Sequence, residues 1–324
     1  MGNGNVKQVQ QEVAAAGEKG LLVSIIVSIY SSKRYDDLVD LIDGVRGQTY
    51  GHNEMIIVVD ENVDLYNKIT EHLAAHDYRN VFPVFNPDNR GLSYSRNLGV
   101  DLAKGDVVAF IDDDAVPEPQ WIEAIAQCFV KCVGAVAGHV APKWESNSMV
   151  WFPRELFWMI SCTYQNNLET KAEIERGFGV NMAFRRDLLT RMGGFNEKLG
   201  INGKKWLGGE DTDMFLKVRE AGWKVIYSPD AKVAHKIFRD RLCLKKIVKR
   251  AFDGGKSIAA LKKYRRYAIK NSTEQNYLKT ILFEYYPATL RRFLTFCAHT
   301  IKQVVAVSAT VLFVGIGYIY GFFS

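Results

Sequence analysis

Acidic side chains nearly vanish after Ala231: four Asp or Glu remain against 18 Lys or Arg, a local net charge of +14. The first 231 residues carry the opposite imbalance, 24 basic against 32 acidic, and the overall +6 conceals both. The second part therefore seeks an anionic partner and the first does not. Charge of either sign is then absent from Val304 to Phe323, which reads VVAVSATVLFVGIGYIYGFF. Cysteine is sparse and odd in number, at Cys128, Cys132, Cys162, Cys243 and Cys297. The first residues do not read as a secretory signal, and Cys128 and Cys132 have no second close pair to complete a zinc site. Buried thiols in a reducing compartment are the expectation. No internal repeat is apparent, and 48% apolar with 24% charged residues excludes disorder as a default.

The basic segment Lys232 to Lys270 holds 14 Lys or Arg and two acids, Asp240 and Asp253, which suits nucleic acid or an anionic membrane. The uncharged stretch favours a membrane, because twenty helical residues rise about 30 Å, the thickness of a bilayer core, and the alternative is a buried helix of a large soluble core or an oligomer contact. No nucleic-acid recognition module is present. Arg291, Arg292 and Lys302 precede the apolar run. That asymmetry predicts a catalytic part on the cytoplasmic side of the cell membrane, with the end of the helix at or across the far face. Amphipathic helices with basic faces are predicted at 242–252 and 258–267. Gly317 and Gly321 have a spacing that packs membrane helices together, the one hint of a homo-oligomer.

Met1 to Gly20 reads as a flexible leader. From Leu21 the chain alternates: apolar strands at 22–30, 54–60, 80–85 and 106–111, with helices at 36–45, 65–75 and 93–103 between them. This βαβαβαβ order predicts a parallel sheet covered on both faces, with ligands at the C-terminal ends of its strands. Asp60, the segment Arg90 to Asn97, and Asp112 to Asp114 all fall at that edge. A helix at 121–132, a strand at 135–140, a helix at 211–221 and a strand at 224–227 are predicted further on. Between them, Trp144 to Tyr164 is rich in aromatics that serve the core or a sugar- or lipid-facing rim.

Three adjacent carboxylates, Asp112, Asp113 and Asp114, at the end of an apolar strand need a cation or several donors to offset their repulsion. Hard oxygens suit Mg²⁺ or Mn²⁺ bridging a diphosphate, and the alternative is a solvated acidic loop. In GGEDTD, glycines at 208 and 209 allow close approach to a ligand, and Glu210 and Asp211 open a helix where Asp211 acts as a base or as a cap. A metal at the first acidic centre and a base at the second fit a single displacement that expels a nucleoside diphosphate. His235, after a short loop from the 224–227 strand, is a third metal ligand, a diphosphate donor or a structural histidine. Arg90, Arg96 and Asn97 in NRGLSYSRN match phosphate or ribose oxygens beside a helix N-terminus.

These blocks resemble a family 2 glycosyltransferase with a GT-A fold, an α/β mixed sheet flanked by helices. The similarity runs from about Val23 to Lys236, through VSIIVSIY, IIVVDEN, NRGLSYSRNLG, VVAFIDDDAVPEPQWI, GFGVNMAFRRDLLTRMGGFNEKLG and GGEDTDMFLKVREAGWKVIYSPDAKVAHK. The resemblance implies a nucleotide base at Asp60 and the ribose or base side of the donor at Asp112 or Asp113. It implies Mn²⁺ or Mg²⁺ on Asp114, with Asp112 and His235 as further ligands. Asp211, in its pair with Glu210, would be the catalytic base, and Asn181 would line the donor sugar and acceptor cleft. The Asp60-Glu61-Asn62 sequence departs from the family's usual acid and serine or glycine there. With the WFPRELFWMISCTY stretch and a membrane-ready C-terminal helical region, the chain resembles enzymes of surface-polysaccharide or lipid-linked glycan assembly. A nucleotide diphosphate sugar (UDP- or GDP-linked) would be the donor and a polyprenyl- or dolichyl-linked saccharide the acceptor. Direct transfer to polyprenyl phosphate, or a non-catalytic sugar-nucleotide-binding subunit, are the alternatives. The expected divisions are a leader at 1–20, a catalytic domain at 21–236, a basic helical region at 237–303 and a membrane helix at 304–323.

Overall fold

The computed structural model describes residues 20–76, 78–164, 169–202, 205–264, 272–293 and 298–323. The expected leader lies outside the described residues except for Gly20. Strands β1 (Val23–Ile29), β2 (Asn53–Asp60), β3 (Val81–Asn86) and β4 (Val107–Ile111) alternate with helices α1 (Tyr35–Arg46), α2 (Val63–Ala75) and α3 (Leu92–Leu102). The four strands pair in parallel in the order β3-β2-β1-β4. Their unbroken apolar runs follow from burial on both faces. Ile25, Val27 and Ile29 enter the core beneath α1 and α2, while Ile26 points to the other core beside α3. There α3 approaches so closely that a Cβ on Gly99 would stand 2.5 Å from Ile26.

Beyond β4 the sheet changes direction. The further elements are β5 (Ala115–Pro117), α4 (Trp121–Ala126), β6 (Val133–Trp144), β7 (Ala172–Glu173), β8 (Asn181–Arg185), α5 (Arg186–Arg191), β9 (Gly200–Asn202), β10 (Lys205–Leu207), α6 (Glu210–Glu220) and β11 (Lys224–Ile237). β8 runs antiparallel between β4 and β6, β6 pairs in parallel with β11, and β5 closes that edge antiparallel to β11. β7 adds to β11, and β9 with β10 forms a separate hairpin. The expected parallel sheet is thus one half of a mixed α/β sheet.

Two local expectations are corrected. The helix foreseen at 121–132 stops at Ala126, and the chain turns through Cys132, at φ 73°, into β6. The strand foreseen at 224–227 continues to Ile237, so His235 lies within β11 rather than beyond a loop. Ser228, Pro229 and Asp230 read as a turn, but they form an irregularity where the pairing with β6 shifts between Ser228 and Lys232. Among the thiols, Cys128 and Cys162 are buried as expected, whereas Cys132 and Cys243 are exposed, and Cys297 lies outside the described residues. Of the aromatics after β6, Phe152 and Phe157 are core, and Trp158 and Tyr164 reach a cavity.

The C-terminal region is helical: α7 (Leu244–Tyr264), α8 (Ser272–Thr280), a π-helical turn (Ile281–Tyr285), α9 (Tyr286–Phe293) and α10 (Ala298–Phe323). One continuous α7 replaces the two amphipathic helices expected there, passing through Gly254 and Gly255 without a break. The reason is α10. A Cβ at Gly255 would strike the Val314 carbonyl, and one at Gly317 would strike that of Phe252. Gly321 leaves its virtual Cβ 3.0 Å from Lys256 Cα and 3.1 Å from Ala259 Cβ. The Gly317/Gly321 face is therefore occupied by α7 of the same chain.

Candidate functional site

The topology brings the ends of β1, β2 and β4, the start of α6 and the end of β11 around a single cavity of about 1810 Å³. Asp112, Asp113 and Asp114 follow β4 on its floor. β5 pairs with β11 so that Ala115 faces His235, which sets the imidazole beside Asp114. His235 Nε2 stands 3.1 Å from Asp114 Oδ1. Asp112, Asp114 and His235 each offer one ligand atom, and these atoms lie within 4.8 Å of one another. Two carboxylate oxygens and an imidazole nitrogen are a donor set for Mn²⁺ or Mg²⁺.

Two guanidiniums complete the surroundings of Asp114. Arg241 Nη2 lies 2.7 Å and Arg34 Nη1 3.0 Å from Asp114 Oδ2, and both arginines lie over the Phe238 ring. Burial alone would raise the Asp114 carboxyl, but the His235 hydrogen bond and the His235, Arg241 and Arg34 charges hold it well below the ordinary range. For Asp113 the Arg34 charge is outweighed. Burial, then the charges of Asp114 and Asp112, push it up to about 8.

Across the cavity, Gly208 and Gly209 lead into α6. Gly209 takes φ 108°, a left-handed conformation that suits glycine, and it occupies the helix cap in place of Asp211. Asp211 is half-buried. Its Oδ2 accepts the Gly179 N–H at 3.0 Å, and its Oδ1 accepts the Thr212 N–H at 2.6 Å. Glu210 is buried, and burial followed by the neighbouring Asp211 charge pushes its carboxyl up to about 7. Arg96 joins the two acidic centres, with Nη1 3.0 Å from Glu210 Oε1 and Nη2 3.5 Å from Asp112 Oδ1. Asp60 also lines the cavity, its oxygens held by Ser95 Oγ at 2.6 and 2.8 Å and by Asn86 Nδ2 at 2.7 Å. Burial raises its carboxyl against those hydrogen bonds.

Asp60, Arg96, Asp112, Asp113, Asp114, Glu210, Asp211 and His235 therefore converge as the sequence suggests. Arg90, Asn97 and Asn181 do not line the cavity. Arg90 pairs with Glu197 at 2.9 Å and stacks on Tyr94. Asn97 clasps both the N–H (2.8 Å) and C=O (3.0 Å) of Phe195. Asn181 spends its amide on Trp121 Nε1 (2.9 Å), the His139 carbonyl (3.0 Å) and the Ala231 carbonyl (2.8 Å).

Conversely, sequence reading passes over Arg34, Arg241 and Arg250. Arg34 was within reach, since the loop after β1 must open on the same sheet edge as the other sites. Arg241 comes from the connection after β11 and Arg250 from α7, where it meets Ser161 Oγ at 3.4 Å; basic residues there look like surface charge. Burial, with Arg241 nearby, lowers Arg250 to about 10. The cavity continues past these residues beneath the C-terminal helices, where Leu261, Tyr277, Thr310, Val314 and Tyr318 line it.

Comparison with known proteins agrees with this geometry. The model of glycosyl transferase family 2 matches residues 24–193, and that of the N-terminal domain of galactosyltransferase matches residues 161–238. A glucosyl-dolichyl phosphate glucuronosyltransferase of Haloferax volcanii is 32% identical over 303 residues, spanning 92% of this chain and 96% of that protein. In fold, the chain is similar to a mannosyltransferase of Pyrobaculum calidifontis in complex with GDP-Man and Mn²⁺. The TM-score is 0.62 at 16% identity, over 93% of this chain and 88% of that one. It is also similar to GalNAc-T7 with UDP, GalNAc and Mn²⁺, at a TM-score of 0.55 and 16% identity over 83% of this chain and 57% of that one.

Proposed function

The chain belongs to glycosyl transferase family 2, and on that premise we propose that it moves a hexose, with inversion, onto a hydroxyl of a polyprenyl- or dolichyl-linked saccharide at the cytoplasmic face of the cell membrane. Metal-assisted transfer from a nucleoside diphosphate sugar is the activity of the fold and its donor set; the acceptor and the residue roles are the proposal. The observation that carries it is the single cavity whose wall holds the Asp112–Asp114–His235 cluster, Asp211 and side chains of the C-terminal helices together. The name of the Haloferax volcanii relative, which acts on a glucosyl-dolichyl phosphate, points to the same acceptor class.

In this reading residues 21–236 form the catalytic unit, followed by the basic helical region and the apolar helix. Asp112, Asp114 and His235 would hold Mn²⁺ or Mg²⁺, which supplies neutralising charge to the leaving diphosphate. Arg34 and Arg241 bring positive charge to the same spot. Asp60 and Asp113 face the nucleoside. Asp211 takes the proton of the acceptor hydroxyl as its oxygen bonds to the anomeric carbon, and the bond from that carbon to the diphosphate breaks with its electron pair on the nucleotide. The Gly179 N–H fixes the Asp211 carboxylate, while Glu210, tied to Arg96, holds the start of α6 against the acidic floor.

Purified protein with Mn²⁺, a panel of UDP- and GDP-sugars and two acceptors, a bare polyprenyl phosphate and a lipid-linked saccharide, tests this reading. Nucleoside diphosphate release that requires the saccharide supports it. Equal turnover with bare lipid phosphate would favour direct transfer to an oxygen that is already an anion, where a base matters little.

A further inference from the structure

We infer that α10 does not cross the membrane but lies along it, with its outer face sunk into an anionic leaflet and its C-terminal end on the same side as the catalytic cavity. By length and composition α10 is able to span a bilayer. Its packing forbids it. The first half of the helix is held to the catalytic body and the second half to α7. Gln303 Nε2 donates to the Trp151 carbonyl at 2.8 Å, Ala306 and Val307 are buried in the main core, and Thr310 Oγ1 meets Met159 Sδ at 3.4 Å. Gly317 and Gly321 then seat the second half on α7.

The pairs Phe252 with Gly317 and Lys256 with Gly321 advance together, so α7 and α10 run side by side in the same direction. In the middle of α7, Asp253 is buried between Lys249 and Lys256, each 2.8 Å away. A bilayer-spanning α10 would draw this charged group into hydrocarbon, where charged side chains are costly. It would also pull the segment containing Trp151 and Met159, and so the catalytic body, in with it.

The side of α10 turned away from the body is what a leaflet accepts. Val305, Leu312, Ile316, Ile319 and Phe323 follow one another at helical spacing on the exposed face, with Ile319 59% and Phe323 83% exposed. α9 extends that surface, docked to α10 by Tyr286 Oη and Ser308 Oγ at 2.8 Å, and the adjoining π-helical turn exposes Phe283 at 74%. Exposed Lys249, Lys263, Lys279 and Lys302 come from the same helical region. An apolar helix face accompanied by lysines fits an anionic phospholipid surface, not a second copy of an equally basic region. The inference does not depend on which sugar or acceptor is used.

Two measurements test it, neither of which reads glycosyl transfer. In a background with Cys243→Ser and Cys297→Ser, exposed Cys132 reports the catalytic side and Ser324→Cys reports the end of α10. With a membrane-impermeant maleimide on sealed vesicles of either orientation, the two cysteines label together. Labelling of Ser324→Cys from the face opposite Cys132 would overturn the inference. The full chain floats with vesicles containing an anionic phospholipid, and Leu312→Lys with Ile316→Lys and Ile319→Lys lowers the floated fraction by about tenfold or more. These sites face away from the body, so the thermal transition in detergent is retained. Flotation unaffected by the triple change, or a protein that stays unbound as a stable dimer, would equally overturn it.

Discussion

Asp211 and Asn181 show how differently two polar residues near one cavity are used. Asp211 is half-buried on the cavity wall, with Gly179 and Thr212 fixing its direction. Asp211→Asn keeps the shape and removes the proposed base, so kcat is expected to fall by about 10² to 10⁴ while the donor KM holds, as read by nucleoside diphosphate release. Asn181 belongs to the framework. Asn181→Ala strands the Trp121 N–H and two backbone carbonyls, costing roughly 3 kcal/mol in stability by urea unfolding, with the donor KM of the folded fraction unchanged. A motif resemblance places Asn181 in the cleft, because sequence pattern gives position along a strand but not which way a side chain on a doubly covered sheet turns. Asn97, on α3, is also framework, its amide used by Phe195.

At the level of elements, the early strands were legible because each is an apolar run with a helix behind it, and burial on both faces demands that composition. The acids at the ends of β2 and β4 were legible because parallel topology fixes which edge they share, whereas those at the start of α6 follow a separate hairpin and were legible only from the GGEDTD motif. β11 was not, because Pro229 and Asp230 mimic a turn in the middle of a strand and hide that His235 is held by a ladder. The glycines of α10 were visible, but their partner was not. Gly317→Ala should push its Cβ into the Phe252 carbonyl and destabilise the α7–α10 pair by about 1 to 3 kcal/mol. Gly315→Ala, two residues away, meets nothing within 4 Å and should be neutral or stabilising by up to about 1 kcal/mol. Thermal midpoints in detergent separate the two, and equal effects would argue against the tight seam.

For the molecule as a whole, the −8 and +14 parts of the chain are not two separate charge systems. Arg241, from the basic part, ends on Asp114, from the acidic part, and Arg250 projects into the same cavity. Chelation with EDTA is expected to abolish turnover, and Mn²⁺ to restore it. Asp114→Ala in the same assay should lose at least about 100-fold and need far more Mn²⁺, because the buried carboxylate of the proposed metal triad is gone.

On the reading proposed above, with α10 laid along a leaflet and a lipid-linked acceptor, the cavity that α10 helps to line also sets the units in which the enzyme counts its acceptor. A site that opens beside a leaflet is supplied by lateral diffusion, so the governing variable is molecules of acceptor per lipid, not per litre. Diluting a vesicle suspension with buffer should leave the rate per bound enzyme unchanged. Adding phospholipid at constant acceptor should slow it in proportion to the falling mole fraction.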